Sequence, residues 1–283
     1  MNAIEINNLS KSYPGFELRD INLTLPTGAI MGLVGENGVG KSTTIKLIMN
    51  AISRDSGSVK VLGVDNLSGE FIAVKEDIGV VLDEAYFPEV LTPENVGKVM
   101  KNTYRNWDDE CYYNFLNRFR LPEKKAFKDF SRGMKMKLAI AVAISHKPKL
   151  LILDEATSGL DPIVRDEILD IFNDFTRDET HSVLLSSHIV SDLEKICDYI
   201  AFIHNGKLLF CEEKDKLLEE YAIIKMSKDD FEKMPKEAVK GKKVSKYGVE
   251  VLVLKAAVSN TFSTEYTTLE DIILFLARGD MKQ

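Results

Sequence analysis

Cysteine is scarce in this chain of 283 residues: there are three, Cys111, Cys197 and Cys211, an odd number with no C-x-x-C spacing. That pattern excludes a disulfide framework and a cysteine-based zinc site, and the plain expectation is reduced thiols in a cytosolic setting. Long apolar runs are missing as well. No stretch approaches the roughly 20 residues needed to span a bilayer, so work at a membrane requires another chain to supply the spanning part. The opening Met1-Asn2-Ala3-Ile4-Glu5-Ile6 lacks a basic flank leading into an apolar run, so no signal peptide is expected. Positive charge is in deficit: 37 Lys and Arg stand against 44 Asp and Glu, a formal net charge of -7. A general nucleic-acid-binding face rests on clustered positive charge, so no nucleic-acid partner is expected. Core-forming material is plentiful. With 45% hydrophobic and 29% charged residues, the chain can bury a sizeable core, as one large domain with an appendage or as two domains.

Gly35-Glu36-Asn37-Gly38-Val39-Gly40-Lys41-Ser42 carries the spacing G-x-x-x-x-G-K-[ST] of a P-loop. The glycines let the backbone curl so that several N–H groups point inward at a phosphate, with no side chain to crowd it. Lys41 is placed to reach the β- and γ-phosphates, and Ser42 to offer its hydroxyl to Mg²⁺. Ala29–Val34 before the loop suits a strand buried on both faces, and Thr43–Met49 after it reads as a helix, which is the context the motif requires. Asn37, Gly38, Gly40, Lys41, Ser42 and Thr43 are therefore the expected nucleotide contacts.

Upstream, Ile4 and Ile6, then Ile21, Leu23 and Leu25, alternate with polar residues as half-buried strands do. The segment Ser10–Gly15 reads as the turn between them, with Tyr13 at its tip. Two readings of that aromatic stand level: it stacks on a flat base, or it covers the edge of a small sheet. Downstream, Ser56–Val61 and Ile78–Leu82 read as strands, and Asp83 and Glu84 follow the second at once. Carboxylates in that position face the ligand crevice of an α/β sheet, or are ordinary loop charges. From about Pro93 to His146 the spacing turns helical, as in an inserted subdomain. There Phe130-Ser131-Arg132-Gly133-Met134 leads into a helix with Ser131 as N-cap, a position that can receive an anion through free N–H groups.

The run Leu150-Leu151-Ile152-Leu153-Asp154-Glu155 complements the P-loop. A buried strand delivers Asp154 to hold Mg²⁺ and Glu155 to orient or deprotonate a water. Ser158–Pro162 starts another helix, with Asp161 as cap and Pro162 at its first position. Past the strand Ser182–Ser186 comes His188, placed for a hydrogen bond to a γ-phosphate, or structural. Tyr199–Ile203 and Lys207–Phe210 form a hairpin about Asn205-Gly206. Beyond Glu212 the composition turns Lys- and Glu-rich, with strands at Ala222–Met226 and Val249–Leu254 and an amphipathic helix at Leu269–Arg278.

From Ile4 to Phe210 this pattern resembles the nucleotide-binding subunit of an ATP-binding-cassette (ABC) transporter. The resemblance implies an α/β fold: a P-loop NTPase core with a mostly parallel sheet, an N-terminal antiparallel β subdomain, an inserted helical subdomain and a small α+β C-terminal appendage. The implied boundaries are 1–211, with the helical subdomain at about 84–148, and 212–283. It further implies ATP and Mg²⁺ as ligands, Tyr13 on adenine, Glu155 as the catalytic carboxylate with Lys41 and His188 beside it, and Ser42, Asp83 and Asp154 as metal contacts. Ser158–Asp161 corresponds to the loop that signals across a dimer. Ser131 and Gly133 belong to the family's signature, usually Leu-Ser-Gly-Gly-Gln, and meet the nucleotide of a second copy. Arg132 and Met134 depart from that signature, and Asp83 stands where glutamine is usual. Both departures resemble the exporter branch whose permeases are separate chains, moving antimicrobial or cytolytic peptides among other cargoes. The implied partners are a polytopic membrane permease, docked on the Val81–Asn95 region, where Tyr86 and Phe87 are either its hydrophobic seat or core aromatics, and a second nucleotide-binding subunit, identical or not. The implied location is cytoplasmic, on the inner face of the cell membrane. The rival readings are an ABC-type ATPase of repair or translation and a non-hydrolysing nucleotide sensor. Nothing between Ser42 and Asp154 shows the heptads of repair members, and there is one cassette where translation members carry two.

Overall fold

The computed structural model describes residues 1–83, 87–258 and 264–280, and the chain divides into two compact units, Met1–Cys211 and Glu212–Gln283. The strands of the large sheet are β1 (Asn2–Tyr13), β2 (Phe16–Pro26), β3 (Ile30–Val34), β4 (Ser56–Val61), β5 (Val64–Asp65), β6 (Ile78–Val81), β7 (Leu150–Asp154), β8 (Ser182–Ser187), β9 (Tyr199–His204) and β10 (Lys207–Glu213). Their spatial order is β5-β4-β1-β2-β10-β9-β3-β8-β7-β6. The arm β5-β4-β1-β2 is antiparallel. The run β9-β3-β8-β7-β6 is parallel. A parallel pairing of Lys207 with Arg19 joins the two regions.

Every residue of β3, β7 and β8 is buried, as expected of parallel strands covered on both faces. Each fully buried Leu, Ile or Val contributes about 1.5–3 kcal/mol, whereas an exposed ion pair contributes about 0–1 kcal/mol. The apolar sheet, not surface charge, therefore fixes where the polar strand ends sit.

The helices of this unit are α1 (Lys41–Ile48), α2 (Phe71–Val74), α3 (Pro93–Thr103), α4 (Asp109–Arg118), α5 (Arg132–Ser145), α6 (Pro162–Phe175) and α7 (Val190–Ile196). Side-chain caps start the longer ones: Thr92 accepts from the Asn95 N–H, Asp108 from Cys111, Ser131 from Met134 and Asp161 from Val164, each satisfying an otherwise orphaned donor. Tyr112 of α4 is fully buried, and its hydroxyl donates to the Pro93 carbonyl at 2.9 Å, which locks α4 to the start of α3. Among the described residues no helix is long and apolar enough to cross a membrane.

One expectation is corrected. The Ser10–Gly15 segment is not a turn: β1 continues through Tyr13, with Lys11 opposite Leu18, Ser12 opposite Glu17 and Tyr13 opposite Phe16. The ladder absorbs register shifts on either side of Leu9, and backbone pairing tolerates the polar side chains that made the segment look like a turn. The chain reverses at Pro14-Gly15 alone, where Gly15 takes φ 84°.

In the second unit β11 (Tyr221–Met226), β12 (Val239–Val244), β13 (Val249–Leu254) and β14 (Thr264–Glu265) form an antiparallel sheet in the order β12-β13-β11-β14. The helices α8 (Lys214–Glu220), α9 (Lys228–Glu232) and α10 (Leu269–Asp280) accompany it. Its core gathers Ala222, Ile224, Met234, Val249, Val251 and Val253.

Candidate functional site

Because β3, β8 and β7 are adjacent and parallel, the segments that follow them emerge side by side at one edge of the sheet. These are the P-loop after β3, His188 after β8, and Asp154 with Glu155 at the end of β7. Ligand crevices of open α/β sheets form at such carboxyl ends. A cavity of about 340 Å³ opens here, lined by Phe16, Asn37, Gly38, Gly40, Lys41, Ser42, Thr43, Asp83 and Glu155.

The loop glycines have the conformation the motif anticipates. Gly38 lies at φ 84° and Gly40 at φ 117°. A Cβ on Gly40 would stand 2.8 Å from Leu18 Cδ1 and 3.0 Å from the Phe16 ring, so backbone angle and space both demand glycine. Gly40 caps α1 without a side-chain hydrogen bond. The first N–H groups of that helix therefore stay available to an anion, at the positive end of its dipole.

Lys41 is buried, and its ammonium donates to the Gly35 carbonyl at 2.7 Å and the Glu36 carbonyl at 3.2 Å. It also lies 3.1 Å from Glu155 Oε1, as an ion pair without the geometry of a hydrogen bond. The other oxygen of Glu155 accepts from His188 Nδ1 at 2.7 Å. A carboxylate can only accept, so Nδ1 carries the proton. In the neutral ring Nε2 is then an acceptor, and His188 donates to a phosphate only as imidazolium or after leaving Glu155. Glu155 sits at φ 51°, an uncommon conformation for a residue with a side chain and one that clusters at functional sites. Its N–H is fixed by the Ser186 carbonyl and hydroxyl, both at 3.1 Å. Ser186 in turn donates to Asp154 Oδ1 at 2.5 Å.

Of the other residues singled out in the sequence, Asp83 lines the cavity, whereas Tyr13, Ser131, Gly133 and Phe87 are not among its lining. Tyr13 ends β1 with the Lys11 ammonium 5.3 Å over its ring and is 43% exposed; the aromatic that lines the cavity is Phe16. Nothing in the local sequence separated Phe16 from Tyr13, since choosing between them requires the hairpin register. Asp83 lines the cavity and forms an ion pair with Arg132 Nη2 at 3.1 Å, both about half exposed. Ser131 accepts from the Met134 N–H at 3.3 Å and keeps its own O–H to donate. A Cβ on Gly133 would meet nothing nearer than 3.8 Å, so packing within this chain does not require glycine there. Glu84 and Tyr86 lie outside the described residues. Phe87 stands edge-on to Phe127, centroids 5.5 Å apart, which packs it against this chain.

Residues 18–158 match the ABC transporter family. The chain is 32% identical over 227 residues to the ABC transporter ATP-binding protein YtrB of Bacillus subtilis (strain 168), covering 80% of this chain and 77% of that one. It is 35% identical over 215 residues to the lantibiotic transport ATP-binding protein SrtF of Streptococcus pyogenes, covering 75% and 91%. A solved structure described as the ATP-binding subunit of an ABC transporter superposes with a TM-score of 0.69 at 28% identity, covering 76% of this chain and 91% of that one. A P-loop whose lysine reaches an acidic strand end, in a chain with these relatives, makes this protein a member of the ABC transporter family, an ATP-binding and ATP-hydrolysing subunit.

Proposed function

We propose that this chain hydrolyses ATP in pairs and that the cycle drives a separate, membrane-embedded permease to export a peptide antimicrobial or a similar membrane-active peptide. The observation that carries the hydrolytic reading is the line of contacts Lys41, Glu155, His188 at the cavity formed by the P-loop. Phosphate binds to the loop amides and Lys41. Glu155 takes a proton from, or orients, the attacking water. His188 meets the γ-phosphate, and the departing phosphate releases those contacts.

Asn37, Gly38, Gly40, Ser42 and Thr43 make the remaining contacts to the triphosphate, and Tyr13 or Phe16 covers the base. Among the described residues no three His, Cys, Asp or Glu side chains assemble a metal cage. Mg²⁺ needs none, since it is held by phosphate oxygens and one or two protein oxygens. Ser42, Asp154 and Asp83 are hard oxygen donors that fit it, and it would neutralise polyphosphate charge. A cavity edged by Asp83 and Glu155 with Lys41 as its lining cation does not balance a triphosphate without such an ion.

The pairing rests on Ser131 and Gly133. Each chain has one P-loop and one signature segment, and packing within this chain gives no reason for glycine at Gly133, which supports its helix start meeting the nucleotide held by a second copy. The cargo rests on the likeness to the lantibiotic transport ATP-binding protein SrtF. Location at the inner face of the membrane follows from the permease partnership. Two measurements test the whole. Purified chain should hydrolyse ATP, and absence of hydrolysis would leave a nucleotide sensor. Capture from native membranes should bring down a polytopic protein, and its absence would favour an ATPase without a transporter.

A further inference from the structure

Behind Glu155 and His188 lies a buried polar cluster that the hydrolytic steps above leave unused. Asp192 of α7 is 4% exposed. Its Oδ1 lies 3.7 Å from Arg165 Nη1 of α6, and its Oδ2 has no hydrogen-bond partner among the described residues. Arg165 Nε and the Thr157 hydroxyl are buried and equally without one. The Thr157 hydroxyl is near enough to favour the carboxylate charge, short of a formed hydrogen bond, and Arg165, His188 and Lys195 act in the same direction. Burial outweighs all of them and pushes the Asp192 carboxyl above its ordinary range.

Such a group is expensive to keep, because a buried charge with imperfect partners is less favourable than an apolar replacement. Its place in the chain suggests what offsets the cost. Thr157 is two residues past Glu155. Arg165 Nη2 also donates to the Leu160 carbonyl at 3.4 Å, on the same loop. Asp192 is four residues past His188, and its N–H donates to the Ile189 carbonyl at 3.2 Å. The cluster thus joins the loop that carries Glu155 to the segment that carries His188.

We propose that Asp192, with Arg165 and Thr157, is a positioning cluster that holds the Glu155 loop and the His188 segment in register during ATP hydrolysis. It acts through those two residues and touches no substrate. The inference rests on the reading of Glu155 and His188 as the hydrolytic pair. When a γ-phosphate draws Lys41 away, the 2.7 Å contact between Glu155 and His188 loses one of its supports, and the cluster supplies another from behind.

The test uses the purified full chain, with steady-state turnover, equilibrium MgATP binding and thermal melting measured together. Asp192→Asn keeps the shape and removes the charge. It should lower kcat about ten-fold, with KM and the MgATP dissociation constant within about two-fold of wild type and the melting temperature not lowered. Thr157→Val removes a hydroxyl that has no formed bond and should lower kcat, while Thr157→Ser should restore it. A purely structural role predicts the reverse: unchanged kcat, with any loss following melting. Unchanged kcat in both Asp192→Asn and Thr157→Val overturns the proposal, as does a loss of MgATP affinity equal to the loss of kcat. If Asp192→Asn does not fold, the Thr157 pair decides alone. Glu155→Gln in parallel separates the two levels: full turnover in that variant removes the hydrolytic reading, whereas its loss beside wild-type Asp192 and Thr157 variants removes only the cluster.

Discussion

Lys41 and Glu155 face each other 3.1 Å apart, with side chains only 5% and 11% exposed. A triphosphate entering the loop competes with Glu155 for the same ammonium, and the carboxylate is freed for a water as the ammonium is taken. Glu155→Gln removes that competitor together with one negative charge. Its ATP affinity should equal or exceed that of wild type, while turnover falls by about 10²–10⁴-fold, the span of a lost general base. Equilibrium binding and single-turnover hydrolysis check both halves. Lys41→Ala should abolish ATP binding and also destabilise the free chain by about 1–3 kcal/mol, because Glu155 Oε1 is left buried without its cation.

Gly40→Ala should fold less stably by about 1–3 kcal/mol, through positive φ and the approach to Leu18 and Phe16. ATP binding should be lost with it, since relief of the contact moves the loop amides. A melting curve and an equilibrium titration on the same preparation read the two effects.

Arg132 restrains a carboxylate that lines the cavity. Because the pair is about half exposed, its removal should change the melting temperature little. It should weaken binding of metal-free ATP, about two- to five-fold, by leaving Asp83, with no Mg²⁺ to hold, free to repel phosphate. Asp83→Asn in the Arg132→Ala background should recover the affinity. A double-mutant cycle without coupling would dismiss the electrostatic account.

His146 ends α5 in a buried site, stacked on Tyr104 at 4.0 Å, with ring nitrogens 3.2 Å from the Ile78 carbonyl and 3.4 Å from that of Val142. Burial holds its pKa below the ordinary value, against the opposing pull of those carbonyls, Glu76 and Asp77. The unfolded chain then binds more protons than the folded one, so this contribution is complete above about pH 6.5 and is lost as pH falls toward the lowered folded value. Wild type should melt earlier at pH 5.5 than at pH 7.5 by more than His146→Phe does, the variant lacking this titration.

Much of the site was legible because its signals are local. The spacing of Gly35 to Ser42, the apolar run ending in Asp154 and Glu155, and the caps at Ser131 and Asp161 depend on near neighbours, and the strands and helices form where those cues place them. What was not legible depends on pairing across distance. Phe16 enters the cavity through the β1–β2 register, and Arg132 finds Asp83 across 49 residues of chain. The strand β12 escaped notice because Lys240, Lys242 and Lys243 hide its alternation; antiparallel pairing to β13 makes it a strand. Asp192 carries no local signal in the sequence, and burial alone distinguishes it.

The strand order has a consequence for size. β8 lies between β3 and β7, so the strand backbones that deliver the phosphate cradle and the acidic end stand two inter-strand steps apart, about 10 Å. Were β7 the immediate neighbour of β3, that backbone distance would halve, and the Lys41 and Glu155 side chains, which now meet at 3.1 Å, would have no gap to extend across. One inserted strand thus works as a spacer, a ruler built from backbone whose length no side-chain substitution can reset.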